Sequence, residues 1–186
     1  MGLGEQFDGV LESARMGEEW ALTVLYRDLH PRLLRYLRTV EPAEAEDLAS
    51  ETWMGVATGL DRFEGAEDDF RRWVFTIARR RHLDLARRRR RRRTDPVPAA
   101  ELAGLVPRGD VEAEAMANLT ADAAASRIAA ALPPDQAEVL LLRVLGDLSV
   151  KQVAAIVGKR PGAVRVLQHR ALSRLARELS PEPVTP

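Results

Sequence analysis

Twelve arginines and a single acid, Asp84, occur within residues 70–93, FRRWVFTIARRRHLDLARRRRRRR. Apolar side chains recur at helical spacing through the first two-thirds of this segment: Phe70, Val74, Ile77, Ala78 and Leu85. A helix with one apolar stripe must bury that stripe against other elements, while its arginines stay in water or bind anions. The segment therefore predicts a long amphipathic helix with one dry side and one cationic side.

The cationic side of this helix favours nucleic acid over a small anion. Arginine is planar and always charged, and it binds phosphates or guanine edges through paired hydrogen bonds. Trp73 and Phe75 lie among the arginines, where aromatic rings can stack on unpaired bases. Taken alone, the run from Arg87 to Arg93 is equally typical of a solvated or disordered basic tail.

The charges of the chain are segregated, although its 28 basic and 28 acidic residues cancel. Residues 41–69 hold ten acids and one base, residues 95–126 are acidic again, and residues 158–177 contain bases but no acid. Because the local field rather than the net charge steers a polyanion, zero net charge does not exclude a DNA-binding protein. Abundant alanine, leucine, arginine and glutamate favour an all-α fold.

Several other classes of site and protein find little support in the sequence. The chain has no cysteine, which excludes disulfides and cysteine zinc sites. His30, His82 and His169 match no metal-ligand spacing, and no apolar run approaches membrane-spanning length. We therefore expect a cytoplasmic protein with no metal site, no cofactor and no membrane insertion of its own.

Proline and glycine divide the chain into two parts. Residues 94–109, TDPVPAAELAGLVPRG, have the composition of a flexible acidic linker. We therefore expect residues 1–93 and residues 110–180 to form two small helical domains. Within the first, a break is predicted near Gly17, and Pro31 is predicted to open a new helix.

An acidic helix is predicted after Pro42, because acids crowd its first turns, where the helix dipole favours them. Its solvent side carries Glu44, Asp47 and Glu51. These carboxylates admit three interpretations: a metal site, a plain solvated face, or a docking face for a basic or mixed partner helix. A metal site needs convergent ligands, whereas these acids spread over two turns with no histidine nearby.

The C-terminal part shows the pattern of a helix-turn-helix. Ser149, with Gln152 three residues later, predicts a capping box at the start of a short helix. Gly158 ends that helix, and Pro161 suits the first position of the next. A helix of about eight residues, a turn beginning at glycine and a longer basic helix is the helix-turn-helix arrangement.

The second helix of this pair is the predicted reader of DNA. Its apolar stripe, Val164, Ala171 and Leu175, leaves an opposite face that would enter the major groove: Gly162, Arg165, Val166, His169 and Ser173. The basic residues that flank this face suit phosphates: Lys159, Arg160 and Arg170.

Four segments in this order resemble the extracytoplasmic-function class of bacterial sigma factors, the minimal specificity subunits of RNA polymerase. The family's opening conserved segment resembles LYRDLHPRLLRYLR, and its polymerase-clamp docking helix resembles AEDLASETW. Its promoter-melting and minus-ten segment is similar to DRFEGAEDDFRRWVFTIARRRHLDLARRR. Its minus-thirty-five reader resembles the stretch from ALPPDQAEVLLLRVLGDLSVKQVAAIVG through AVRVLQHRALSRLAR.

The resemblance implies a role for each segment in a protein that is not an enzyme. The acidic helix would dock on core RNA polymerase through Glu46, Asp47, Leu48, Glu51 and Trp53. The loop and the arginine-rich helix would bind the opened minus-ten element through Phe63, Gly65, Trp73, Arg79 and Arg80. The final helix would bind the minus-thirty-five element through Arg160, Arg165, Val166, His169 and Arg170. The implied partners are the clamp and flap of the polymerase, promoter DNA and an anti-sigma factor.

Two other classes of protein stay open on the residues alone. One is a stand-alone helix-turn-helix regulator whose N-terminal half oligomerises, and the other is a metal-dependent nuclease that uses the acids from Glu44 to Glu51. The chain also departs from the family pattern. Arg80 stands where many members carry asparagine, and Glu64 where some carry a basic residue, so the resemblance implies no base preference.

Overall fold

The computed structural model describes residues 2–92 and 112–179, and every regular element within these residues is helical. This confirms the predicted all-α class. The predicted linker, residues 94–109, lies outside the described residues. The α-helices are α1 (Phe7–Arg15), α2 (Glu19–Val40), α3 (Ala45–Gly59), α4 (Glu67–Arg92), α5 (Glu112–Ala131), α6 (Pro134–Val144), α7 (Val150–Val157) and α8 (Pro161–Leu179).

Helices α1–α4 pack around one apolar core and form the N-terminal domain. α2 packs on α1 and α3, and α3 packs on α4. α2 contributes a row of buried residues spaced four apart: Ala21, Leu25, Leu29, Leu33 and Leu37. Burying one leucine side chain contributes about 1.5–3 kcal/mol, so this row holds α2 at the centre of the domain.

The predicted helix boundary at Pro31 is wrong, because Pro31 lies inside α2. A proline in a helix interior removes one backbone hydrogen bond and normally kinks or breaks the helix. Here Leu29 and Leu33, on either side of it, are both buried in the same core, which holds the two halves of the helix together. The break expected near Gly17 is present, and Gly17 adopts a φ of 85°, which favours glycine.

α4 is buried over a wider arc than its apolar stripe predicts. Phe70, Val74 and Ala78 are buried as expected, but Phe75 is fully buried too. Its ring meets the ring of Tyr36 edge-on, with 5.5 Å between the ring centroids. Because α2 as well as α3 packs on α4, Phe75 belongs to the core, and the expectation that it could stack on a base is wrong.

Helices α5–α8 form the C-terminal domain, and its helix ends follow the sequence prediction. The Ser149 hydroxyl accepts a hydrogen bond from the backbone N–H of Gln152 at 3.3 Å, and the Gln152 side chain accepts one from the backbone N–H of Ser149 at 2.7 Å. Gly158 ends α7 with a φ of 68°, and α8 begins at Pro161. The capping box and the turn of the helix-turn-helix are therefore confirmed.

The two domains touch each other. α5 and α6 pack on α2, and α7 packs on α4. As a result, buried apolar side chains of the two domains form one continuous cluster. None of the described helices is long and apolar enough to cross a membrane.

Candidate nucleic-acid interface

The solvent-facing side of α8 carries the side chains that were predicted to read bases. Val164 and Ala171, on the opposite side of the helix, are fully buried. α8 thus has the predicted rotation, with α7 packed against it as in a helix-turn-helix. The residues of the reading face are all exposed: Gly162, Arg165, Val166, His169 and Ser173.

The basic residues that flank this reading face differ in their surroundings. Arg160 and Arg170 are exposed, in a position suited to phosphates. Lys159, which was expected beside them, places its Nζ 3.0 Å from a carboxylate oxygen of Asp135 on α6. Exposed ion pairs of this kind contribute little to stability, so a phosphate can compete for the lysine at small cost.

A surface depression of about 460 Å³ lies between the end of α3 and the first turns of α4. Trp73 forms one wall, and its indole stacks on the ring of Phe63 with 5.0 Å between centroids and 21° between planes. A Cβ atom at Gly59 would come within 2.9 Å of the indole, so this close approach requires glycine. The lining residues are Gly59, Arg62, Phe63, Glu64, Arg72 and Trp73.

Phe63 supports this depression from below. It is only 7% exposed, and its ring meets Phe70 edge-on at 5.5 Å. Trp73 is therefore the aromatic surface of this pair that a base can reach. Gly65 lets the loop pass close to α4, because a Cβ there would lie 2.7 Å from the Cβ of Asp69 and its φ is 141°.

The two arginines predicted to bind the minus-ten element lie in different environments. Arg80 is exposed to solvent. Arg79 instead donates two hydrogen bonds to the carboxylate of Glu138 on α6, from Nε at 2.8 Å and from Nη2 at 3.2 Å. Such bidentate, charge-assisted pairs are among the stronger polar contacts in proteins. In this arrangement two of the five N–H donors of Arg79 are occupied by the C-terminal domain.

α3 presents only part of its predicted docking set to solvent. Glu46 and Asp47 are exposed, and Glu51 and Trp53 are half-buried. Leu48 is 2% exposed, because it faces the core, so it supports the surface and does not form it.

Acids in the first turn of α3 and just before it are partnered by arginines. Glu46 pairs with Arg38 at 2.7 Å, and Glu44 pairs with Arg89 at 3.1 Å. Within residues 2–92 and 112–179, no three or more histidine, aspartate or glutamate side chains form a group that could hold a metal ion. The convergent carboxylates that a metal-dependent nuclease needs are not found there.

An aromatic cluster beside α3 was missed by the sequence reasoning. Tyr26 on α2 stacks on His30 with 4.3 Å between centroids, and lies 5.0 Å from Trp53. The indole N–H of Trp53 donates to Nδ1 of His30 at 3.3 Å. Burial lowers the pKa of His30 against an opposing effect of Glu46, and a neutral imidazole is the form that accepts this hydrogen bond.

A second depression, of about 280 Å³, opens next to this aromatic cluster. Leu22, Val56 and Ala57 contribute to its lining, together with Tyr26 and Trp53. Met54, elsewhere on α3, is 62% exposed. The sequence did contain a signal for this cluster. Tyr26 and His30 are four residues apart, so they lie on the same side of α2, and each comes directly after a residue of the buried row, Leu25 or Leu29.

The sequence matches two family profiles in chain order. The Sigma-70 region 2 profile matches residues 25–92, and the Sigma-70 region 4 profile matches residues 123–175. The first match spans α2 to α4, with the depression at Trp73 and the α3 surface. The second spans the last nine residues of α5, all of α6 and α7, and most of α8, including the reading face.

Alignments with two sigma factors cover most of the chain. It is 38% identical over 168 residues to the ECF RNA polymerase sigma factor ShbA of Streptomyces griseus. This alignment covers 86% of this chain and 87% of that protein. It is 35% identical over 184 residues to the ECF RNA polymerase sigma factor SigD of Mycobacterium tuberculosis, spanning 95% and 85%.

A solved structure shares the fold. The sigma factor RpoE of Bartonella quintana, solved in complex with the anti-sigma factor NepR, superposes with a TM-score of 0.59 at 23% identity, over 89% of this chain and 98% of that one. The two matched regions, the long alignments with sigma factors and the helix-turn-helix geometry all support the same family assignment. The chain therefore belongs to the ECF family of RNA polymerase sigma factors.

Proposed function

We propose that this sigma factor binds core RNA polymerase in the cytoplasm, reads a minus-thirty-five and a minus-ten element, and assists strand opening without being an enzyme. One observation carries the proposal: a single chain holds two different surfaces suited to DNA. The first is the exposed face of α8, and the second is the depression at Trp73. A stand-alone regulator has use for the first surface only.

The reading face of α8 suits the major groove of a duplex. We assign base contacts to Arg165 and His169, since an arginine can bind guanine through two hydrogen bonds. Val166 offers an apolar contact of the kind that recognises a thymine methyl group. Arg160 and Arg170 are assigned to the flanking phosphates, where they position the helix without reading sequence.

The depression at Trp73 suits a single unpaired base. Extracting a base from a duplex costs a few kcal/mol, and stacking on an aromatic side chain returns about 1–3 kcal/mol per base. Strand opening therefore needs no nucleotide hydrolysis. Arg80 lies on α4, the helix that carries Trp73, and Gly65 lies in the loop that follows Phe63. We assign the Arg80 side chain and the backbone at Gly65 to the opened minus-ten strand.

The α3 surface and the aromatic cluster of α2 are proposed to bind the polymerase clamp. Glu46, Asp47 and Glu51 provide charge for basic side chains of a partner helix, and the depression beside Tyr26 and Trp53 can take an apolar one. For the polymerase flap we propose the groove of about 540 Å³ between α5 and α8. Because RpoE of Bartonella quintana was solved with an anti-sigma factor, we also propose an anti-sigma partner.

Transcription in vitro tests the proposal directly. The purified chain is mixed with core polymerase and a library of promoter fragments from the genome that encodes it. We expect initiation at defined start sites that requires both the chain and core polymerase. A footprint on DNA that is complete without polymerase would favour the stand-alone regulator. Equal transcription with and without the chain would refute the proposal.

A further inference from the structure

α1 lies outside the stretch that matches the Sigma-70 region 2 profile, which begins at residue 25. It nevertheless packs against the segment that carries the depression at Trp73. α1 contacts the short 3-10 turn Leu60–Arg62, which leads from α3 into the loop at Phe63. The proposed function assigns no role to α1 or to these contacts.

A row of four aromatic rings connects α1 with the indole of Trp73. The ring centroids of Phe7, on α1, and Phe70 are 5.8 Å apart. Those of Phe70 and Phe63 are 5.5 Å apart, and those of Phe63 and Trp73 are 5.0 Å apart. Phe7 and Phe70 are 2% and 3% exposed. Because the atoms of a protein core are closely packed, a displacement of Phe63 changes the surroundings of the indole.

Arg15, the last residue of α1, binds the backbone of the loop directly. Its Nη2 donates a hydrogen bond to the carbonyl oxygen of Phe63, 48 positions away in the sequence. Its Nη1 lies 3.4 Å from a carboxylate oxygen of Glu12 on the same helix, and the Arg15 side chain is 28% exposed. Hydrogen bonds from a charged donor are about twice as strong as neutral ones. Arg15 therefore joins α1 to the loop by a strong, partly shielded contact.

The loop has little other backbone support where Arg15 binds it. The Phe63 N–H donates to the carbonyl oxygen of Leu60 at 3.2 Å. Among residues 2–92 and 112–179, no hydrogen bond to the backbone of Glu64 or Gly65 is found. Glycine also loses more conformational freedom on folding than any other residue. The hydrogen bond from Arg15 therefore restrains the loop at the point where its own backbone hydrogen bonds end.

We propose that Arg15 is a positioning residue for the unpaired base: by binding the Phe63 carbonyl, it keeps the Phe63 ring stacked on Trp73 and the loop backbone beside the depression. Arg15 acts through Phe63 and not by contact with the base. A loop that becomes ordered only on binding lowers the affinity, so a base site gains from a loop that is already fixed. The inference rests on the proposed function in one respect, the assignment of the depression to an unpaired base.

Fluorescence of the free chain tests this arrangement without DNA or polymerase. The chain has three tryptophans, and Trp20→Phe with Trp53→Phe leaves Trp73 as the single reporter. Arg15→Met keeps a long, flexible side chain but removes the donors. In this background we expect Arg15→Met to shift the emission of Trp73 to longer wavelength and to increase its quenching by acrylamide. Unchanged emission and quenching would overturn the inference.

Two further variants complete the fluorescence test. Glu12→Gln removes the ion pair of Arg15 within α1 but leaves Arg15 its carbonyl partner, so we expect the emission of Trp73 to stay unchanged. Arg15→Gln is shorter and uncharged, and we expect it to reproduce the changes of Arg15→Met. It replaces Arg15→Met if thermal melts show that variant to be unfolded. An effect of Glu12→Gln as large as that of Arg15→Met would overturn the inference, because the charges of α1 would then control the indole.

Strand opening by the polymerase complex tests the effect on the base. We expect Arg15→Met to reduce permanganate reactivity of the minus-ten region by about three- to tenfold, with binding of the closed complex unchanged. In the Trp73→Ala background we expect no further reduction, because the surface that Arg15 positions is gone. An equal reduction in both backgrounds would overturn the inference, since Arg15 would then act on DNA or on the fold independently of the indole.

Failure of the proposed function would be recognised separately. The unsubstituted chain would then not stimulate core polymerase, whatever the fluorescence of Trp73 shows. Normal stimulation together with unchanged fluorescence in Arg15→Met would overturn the role of Arg15 alone.

Discussion

The two surfaces that we propose to bind DNA are built in different ways. On α8, exposed side chains at helical spacing form the reading face, and the buried stripe on the other side only fixes its rotation. At α4, the depression needs parts of three segments: Gly59 at the end of α3, the loop at Phe63, and Trp73. A surface that reads an intact duplex needs accessible side chains, whereas one that holds an unpaired base needs a preformed and supported pocket.

The largest effect should follow from removing the support under α4. Phe75→Ala deletes a fully buried ring that packs on Tyr36, and we expect the free energy of unfolding to fall by about 3–5 kcal/mol. Urea denaturation measures this. The matched change on the other surface is Val166→Ala, at an exposed position of α8, where we expect a change within about 0.5 kcal/mol. Similar losses from the two variants would contradict the comparison.

Arg165→Ala should weaken binding of the polymerase complex to the upstream promoter element by about 1–3 kcal/mol if it makes a bidentate base contact. The measurement is a quantitative footprint over that element. Arg174→Ala is the control, because Arg174 is also exposed on α8 but pairs with Glu178 and lies outside the reading face. An unchanged footprint in Arg165→Ala would refute the base contact.

Trp73→Ala should reduce strand opening by an amount equivalent to about 1–3 kcal/mol, the stacking energy of one base. Binding of the closed promoter complex should be spared, because we assign the contacts with duplex DNA to the face of α8. Permanganate reactivity of the unpaired bases measures opening. Trp73→Phe retains an aromatic surface and should keep most of the activity. If opening and closed-complex binding fall together in Trp73→Ala, the indole acts in packing.

The smallest effect is expected at Tyr36, where the two domains meet. Its hydroxyl is buried, with no hydrogen-bond partner among the described residues, and a buried unpaired polar group is costly. Tyr36→Phe should therefore leave the free energy of unfolding unchanged or raise it by up to about 1 kcal/mol. Calorimetry measures the change, and Phe75→Ala provides the contrast of a destabilising change in the ring beside it. A clear loss of stability would show that the hydroxyl is satisfied by ordered water.

Much of the C-terminal site could be predicted from the sequence, and less of the N-terminal one. The capping box at Ser149, the turn at Gly158 and the exposure of Arg165 all follow from spacing within a few residues. At α4 the same reasoning placed Phe75 and Phe63 toward DNA, while the structure buries Phe75 completely and leaves Phe63 as a mostly buried ring that lines the depression. A helical wheel identifies one buried stripe, and α4 is covered by neighbours on more than one side.

By itself, the sequence determined the helical class, the family and the reading face of α8, because periodicity, caps and ordered motifs depend on neighbours along the chain. Tertiary structure alone decided that Pro31 stays inside a helix, that Tyr26 and His30 join Trp53, and that Arg79 meets Glu138. These outcomes depend on which surfaces pack together. Arg79 and Glu138 are 59 positions apart, and no local pattern encodes a contact between two domains.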